Sequence, residues 1–363
     1  MSDLAILRIA IAGCLAASLL ISFALTPLSM RIAGRIGAVD IPKDDRRMHK
    51  IPIPRFGGFA IFLAAFVVIL LVRFVLFRYL PYSESYDEPV EKLTGVLAGG
   101  LLIYLLGVFD DIFTLSPVIK LFGQIICATA TFILDVRIPA FDVIGLEFSS
   151  ESFWGIALSY IVTLLWIVAI TNMVNLVDGL DGLAAGVSVI AALSIAYSAY
   201  IHGQYTVTLA MLAVAGAAAG FLPFNFHPAK TFMGDGGALF LGFMIGSISV
   251  IGPAKGPTVV ASIVPLFVLG VPIFDTLFAI FRRKTGGRPI FSADKGHLHH
   301  QLSYIGMGQR RSVMMIYGIS SVMGIAAIVF SRRLYLEAVA LFLTAVIFLF
   351  VLIWGWNDHS KKS

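Results

Sequence analysis

Apolar runs of roughly 15–20 residues recur along this chain, separated by short polar breaks. Runs of that length suit helices that cross a bilayer. They lack the alternation of barrel strands, about ten residues each. The pattern predicts eleven spans, at 4–28, 57–80, 93–109, 118–136, 153–173, 183–201, 205–222, 237–252, 258–281, 312–330 and 335–356. The expected fold is all-α: a polytopic integral membrane protein of one domain, 1–363, with about 11 transmembrane helices. Composition agrees, with 13% charged residues where soluble domains carry about 25%. Cys14 and Cys127 both sit in apolar runs, so no disulfide framework is expected.

Eleven spans place alternate breaks on alternate sides. One side then holds 29–56, 110–117, 174–182, 223–236, 282–311 and the tail 357–363. The breaks at 29–56 and 282–311 carry seven Lys/Arg each, while the other side has scattered cations such as Arg78, Lys92 and Arg137. The positive-inside bias makes the first side cytoplasmic, with the N-terminus outside and the C-terminus inside. Of the seven histidines only His202 falls on the other side, and the carboxylate clusters share the cytoplasmic side. Chemistry is therefore expected at one membrane face.

Five constellations lie on that face. Thr171–Gly182 (TNMVNLVDGLDG) spaces Asn172, Asn175, Asp178 and Asp181 three residues apart. Neighbouring pairs share a helix face, and a tighter 3₁₀ turn would bring all four to one side. Carboxylates this close to lipid usually mark function, although helix capping accounts for part of the set. In Gly107–Lys120, the vicinal Asp110 and Asp111 close an apolar run. Their repulsion raises one pKa unless a cation is near, and Lys120 follows just inside the next run. A metal pair, a general base with a supporting neighbour, and simple interfacial anchoring all remain open there.

Asp235 lies among Gly234, Gly236 and Gly237 at the start of a span, where an N-cap role would also explain it. Asn225 and Lys230 nearby suit a phosphate–Mg²⁺ site, since Mg²⁺ favours one or two carboxylates with substrate phosphates. Val39–Gly58, with His49 and Arg55, offers cations for a nucleotide or lipid phosphate, or is an ordinary positive loop. In Phe281–Arg311, His297, His299 and His300 stand near Arg288 and Lys295. Without cysteines beside them, phosphate binding or proton transfer suits these histidines better than zinc.

Few polar groups line a transverse path, which argues against ion transport and against a non-enzymatic carrier or flippase. Neither a P-loop nor a nucleophile elbow is present. The set points to a Mg²⁺-assisted reaction between a soluble phosphate compound and a membrane-embedded one, and nothing points to nucleic acid.

The segments VD-P…RR-H…P-x-GG, GVFDD, NxxNLVDGLDGLA, FNFHPAKTFMGDGG and DKGHLHHQL together resemble the polyprenyl-phosphate N-acetylhexosamine-1-phosphate transferases. The likeness runs from about Val39 to Arg311, and it is greater to the WecA/TagO branch than to the MraY branch. It implies a bacterial plasma-membrane enzyme with a cytoplasmic active site. The implied reaction is transfer of GlcNAc-1-phosphate from UDP-GlcNAc to undecaprenyl phosphate, with Mg²⁺ or Mn²⁺ as substitute, and a homodimer is open. UDP-MurNAc-pentapeptide is the rival donor. By the same likeness Asp235 and Asn175 would bind the metal. Asp110 would be the base for the lipid phosphate, with Asp111 beside it. Asp178 and Asp181 would position nucleotide or catalytic groups, and Lys120 would face phosphate. His297, His299, His300 and Arg288 would contact the sugar nucleotide. Asn172, Asn225, Lys230, His49 and Arg55 would bind substrate. The lysine that MraY-type enzymes place three residues after the acidic pair is Thr114 here, which shifts that role to Lys120.

Overall fold

The structure is a computed structural model that describes residues 3–41, 52–74, 84–138, 152–251, 264–268, 270, 284–285 and 308–360. Among these residues there are ten long helices: α1 (Asp3–Ile36), α2 (Gly58–Phe74), α3 (Glu84–Phe113), α4 (Pro117–Ile133), α5 (Phe153–Val177), α6 (Leu183–Ile201), α7 (Tyr205–Asn225), α8 (Gly234–Ile248), α9 (Gln309–Ser331) and α10 (Tyr335–Ser360). Six are long and apolar enough to cross a membrane, and α2, α4, α8 and most of α10 are shorter apolar helices. The chain is a multi-pass helical membrane protein. Ten of the eleven expected spans coincide with these helices, and the span expected at 258–281 lies mostly outside the described residues.

Helix α3 begins at Glu84, well before the span expected from 93, and two C-terminal boundaries move for a physical reason. Helix α1 continues to Ile36 and α3 to Phe113, beyond their apolar runs. Arg31 and Arg35 therefore extend a helix rather than a loop, and Asp110 and Asp111 lie on the last turn of α3. Charged residues with adequate helix propensity keep a helix going once it leaves the apolar layer. The all-α expectation also needs one amendment. Strands β1 (Val39–Asp40) and β2 (Ile53–Pro54) form a two-residue antiparallel ribbon, pairing Val39 with Pro54 and Asp40 with Ile53.

Local chemistry explains the helix starts. Ser116 and Ser152 accept the Ile119 and Gly155 backbone N–H groups as N-caps of α4 and α5, and Pro117 occupies the first turn of α4. At the centre stands α8, which is buried along almost its whole length and packs on α2, α3 and α5. Small residues permit that approach. A side chain on Gly107 of α3 would strike the Gly236 backbone, and one on Gly58 would strike Gly237. The outer faces of α3, α4 and α5 expose Phe109, Phe113, Phe122, Ile126, Ile133 and Leu165, a surface suited to lipid.

Candidate active site

The end of α3, the start of α4, the end of α5 and the start of α8 meet at one end of the bundle. Arg55 is delivered there by the ribbon. The Phe232 backbone N–H and the Thr231 hydroxyl both donate to Pro54 O, and Arg55 N–H donates to Ala38 O at 2.8 Å. The guanidinium then spans two carboxylates, with Nε 3.0 Å from Asp111 Oδ1 and a terminal nitrogen 2.7 Å from Asp235 Oδ2.

Asp111 also accepts the backbone N–H groups of Asp235 (2.8 Å) and Gly236 (3.0 Å). It thereby caps α8 from another helix, using free N–H groups and the positive end of the helix dipole. Gly234 takes φ +70°, and a side chain there would meet the Asp111 carboxylate. The N-cap role expected for Asp235 is thus corrected. Asp235 is the second residue of α8, and its carboxylate faces the site.

Asp235 Oδ1 accepts the Asn175 amide at 2.7 Å and lies 3.4 Å from Lys120 Nζ. Lys120 also forms a close ion pair with Asp110 Oδ2. Asp110, 5% exposed, accepts the Leu115 N–H through Oδ1 at 2.7 Å. The vicinal carboxylates are therefore separated, each with its own cation: Asp110 with Lys120, Asp111 with Arg55.

Asp178 ends α5. It lies within electrostatic range of Asp235, Asp111 and Asp181, and its carboxylate has no hydrogen-bond or ion-pair partner among the described residues. Burial pushes its pKa well above the ordinary carboxylate range. Asp235 adds to the rise, Arg55 opposes it, and Asp111 and Asp181 reinforce it. Asp181 accepts from His227 Nδ1 at 2.7 Å and from the Ala229 N–H at 3.1 Å.

The structure thus brings together Arg55, Asp110, Asp111, Lys120, Asn175, Asp178 and Asp235, with Asp181 alongside. Two expected members turn elsewhere. Helix α5 stays regular to Val177, so no 3₁₀ turn gathers the four polar residues. Asn172 faces α4 instead and exchanges reciprocal amide hydrogen bonds with Gln124. Asn225 is 2% exposed, accepting the Gly182 N–H and donating to Thr231 O. Its polar atoms brace the loops beneath the site. Lys230 is exposed at the rim. His49, Arg288, His297, His299 and His300 lie outside the described residues. Sequence reasoning missed Gln124, whose signal was an amide inside an apolar run, and gave no role to His227, which lies inside the recognised segment FNFHPAKTFMGDGG.

Comparison with known proteins converges on the same place. Residues 93–253 match the family model described as glycosyl transferase family 4. A probable undecaprenyl-phosphate N-acetylglucosaminyl 1-phosphate transferase of Bacillus subtilis is 40% identical over 91% of this chain and 87% of its own. A decaprenyl-phosphate N-acetylglucosaminephosphotransferase of Mycobacterium tuberculosis is 36% identical over 92% and 85% respectively. A phospho-N-acetylmuramoyl-pentapeptide-transferase of Bacillus subtilis is 32% identical over 85% and 94%. With such likeness along nearly its whole length, and with the acidic segments in one cluster, this chain is a member of the polyprenyl-phosphate N-acetylhexosamine-1-phosphate transferase family.

Proposed function

We propose that the protein transfers GlcNAc-1-phosphate from UDP-GlcNAc to undecaprenyl phosphate, releasing UMP and initiating a cell-envelope glycopolymer. The carrying observation is the cluster in which Arg55 and Lys120 face Asp110, Asp111 and Asp235 beside the Asp178 carboxylate. Its two flanks differ in polarity, which supports a reaction between a lipid and a soluble molecule. Beside Lys120, α4 exposes Val118, Ile119, Leu121 and Phe122. Beside Asp181, the exposed residues include Lys230, Arg310 and Arg311. The lipid phosphate would approach Lys120 along α4, and the nucleotide sugar would enter past Asp181.

In the transfer, an oxygen of the lipid phosphate bonds to the sugar-bearing phosphorus of the donor. The bond from that phosphorus to the oxygen leading to UMP breaks, and UMP departs with the electron pair. A phosphate monoester is largely dianionic at pH 7, with its second pKa about 6, so attack needs little help from a base. Asp110 and Asp111 are both held by cations and backbone N–H groups, which supports direct attack over an aspartyl-phosphate route. Lys120 and Arg55 would turn part of their hydrogen bonding to the reacting phosphates and stabilise their charge.

The donor set fits Mg²⁺. Asp178 is a hard oxygen group with no ion-pair partner among the described residues, and Asn175 keeps its carbonyl oxygen while its amide binds Asp235. Asp235 and Asn175 would hold the ion, with Asp178 next to them. When bound it would neutralise and orient the diphosphate.

The charge bias along the chain supports a cytoplasmic site in a bacterial plasma membrane, with eleven spans, the N-terminus outside and the C-terminus inside. The test is incubation of purified protein with radiolabelled UDP-GlcNAc, undecaprenyl phosphate and Mg²⁺. Labelled lipid and UMP are expected, and their absence would remove the proposal. UDP-MurNAc-pentapeptide in a parallel reaction tests the activity named for the 32% identical relative.

A further inference from the structure

A second polar network borders the carboxylate cluster and ties three parts of the chain together. Asp181 Oδ2 accepts from His227 Nδ1 (2.7 Å) and from Ala229 N–H (3.1 Å). An ionised carboxylate only accepts, so His227 donates to it through Nδ1–H. His227 is itself fixed from α9, because Arg310 Nε donates to its carbonyl oxygen at 2.7 Å. The neighbouring Gly182, at φ +81°, is pinned on both sides. Its N–H donates to Asn225 Oδ1 at 3.1 Å, and its carbonyl accepts the Tyr317 hydroxyl.

The turn 178–182 is therefore anchored at its far half and open at its near half. A side chain on Gly179 would meet nothing within 4 Å. Asn225 and Tyr317 fix the backbone, but neither touches the Asp181 carboxylate. That group's orientation rests on His227 and Ala229. Both donors meet Oδ2, and Oδ1 is the oxygen with no donor among the described residues. An acceptor-only oxygen repels phosphate, so its ligand is an O–H or N–H group.

We infer that His227 is a positioning residue of the transfer site: its Nδ1–H holds the Asp181 carboxylate in one orientation, so that Oδ1 meets a hydroxyl or N–H group of the nucleotide-sugar donor. This rests on the function proposed above. It goes further by giving a role to a histidine that lies in neither the metal set nor the cation set.

Three variants of the full chain separate this role from simple packing. The amide nitrogen of Asn falls where Nδ1 lies, and that of Gln falls where Nε2 lies. In His227→Ala and His227→Gln, KM for UDP-GlcNAc should rise about ten- to hundredfold, as for a lost hydrogen bond to a charged group. In His227→Asn it should stay near wild type. KM for undecaprenyl phosphate and the melting temperature should be unchanged in all three. UDP-GlcNAc binding by calorimetry, with no undecaprenyl phosphate present, should weaken in the same order without any transfer.

Equal behaviour of Asn and Gln, or equal rises in both KM values, would overturn the inference. So would a wild-type KM for UDP-GlcNAc in His227→Ala. If the wild-type protein binds UDP-GlcNAc but transfers nothing, the proposed reaction fails. The order of UDP-GlcNAc affinities then still decides the role of His227.

Discussion

Asp111 caps a helix that is not its own: through Oδ1 and Oδ2 it receives the N–H groups of Asp235 and Gly236, and so fixes the start of α8 against the end of α3. Its remaining interaction, with Arg55, joins the ribbon to the same point. Asp111→Asn replaces one accepting oxygen with a donating amide. That amide opposes an N–H group and no longer attracts Arg55. Each lost bond to a charged group is worth about 1.5–3 kcal/mol. The variant should melt several degrees below wild type in detergent and lose most transfer activity, read by thermal denaturation beside the labelled-lipid assay. Gly234→Ala should reproduce the lower melting temperature, since alanine is strained at φ +70° and would press on the same carboxylate.

This arrangement shows which parts of the protein the sequence carries openly. Apolar runs locate the helices because lipid solvation acts on each segment separately, and Leu183–Ile201 matches its expected span at both ends. The acidic segments were legible as a set, since carboxylates beside apolar runs have few structural uses. Their partners were not legible. Arg55 lies 180 residues from Asp235, and a two-residue ribbon carries it there. Spacing indicates which face a residue occupies, not what that face meets. Asn172 therefore looked like its neighbours at three-residue intervals, while its own turn of α5 packs on Gln124 of α4.

Lys120 and Asp110 form an ion pair at the base of the cluster. Removing one partner strands a buried charge, at a cost of about 3–5 kcal/mol. Lys120→Met should therefore destabilise the protein strongly. Lys120→Met combined with Asp110→Asn should recover much of the melting temperature, because neither buried charge remains. Transfer should stay abolished in the double variant, since the cation proposed to meet the lipid phosphate is gone. Melting curves and the labelled-lipid assay on the two single variants and the double variant complete the cycle. Recovery of activity along with stability would make the pair purely structural.

Magnesium removal should silence the enzyme. Excess EDTA is expected to stop formation of labelled lipid, with Mg²⁺ or Mn²⁺ restoring it and Ca²⁺ restoring less. Mg²⁺ and Mn²⁺ favour compact octahedral oxygen sites, whereas Ca²⁺ prefers more ligands at longer distances. Full activity in EDTA would leave charge neutralisation to Arg55 and Lys120 alone.

Asp178 should trade stability for function in a way that depends on pH. Burial and the surrounding carboxylates raise its pKa above the unfolded value, so the neutral form is favoured in the folded protein. Its stabilising contribution is complete below the ordinary carboxylate pKa and is lost as pH rises through the raised folded value. Asp178→Asn does not titrate. Without divalent cations, the variant should melt close to wild type at acid pH and above it at neutral pH, with the gap opening across that window. Added Mg²⁺ should raise the melting temperature of the wild type at neutral pH more than that of the variant, which keeps Asp235 and Asn175 but lacks the carboxylate beside them. The variant should also fail in transfer. A gap that stays constant from acid to neutral pH would mean that Asp178 titrates alike in the folded and unfolded protein, and an equal Mg²⁺ response in both proteins would leave Asp178 without a part in holding the ion.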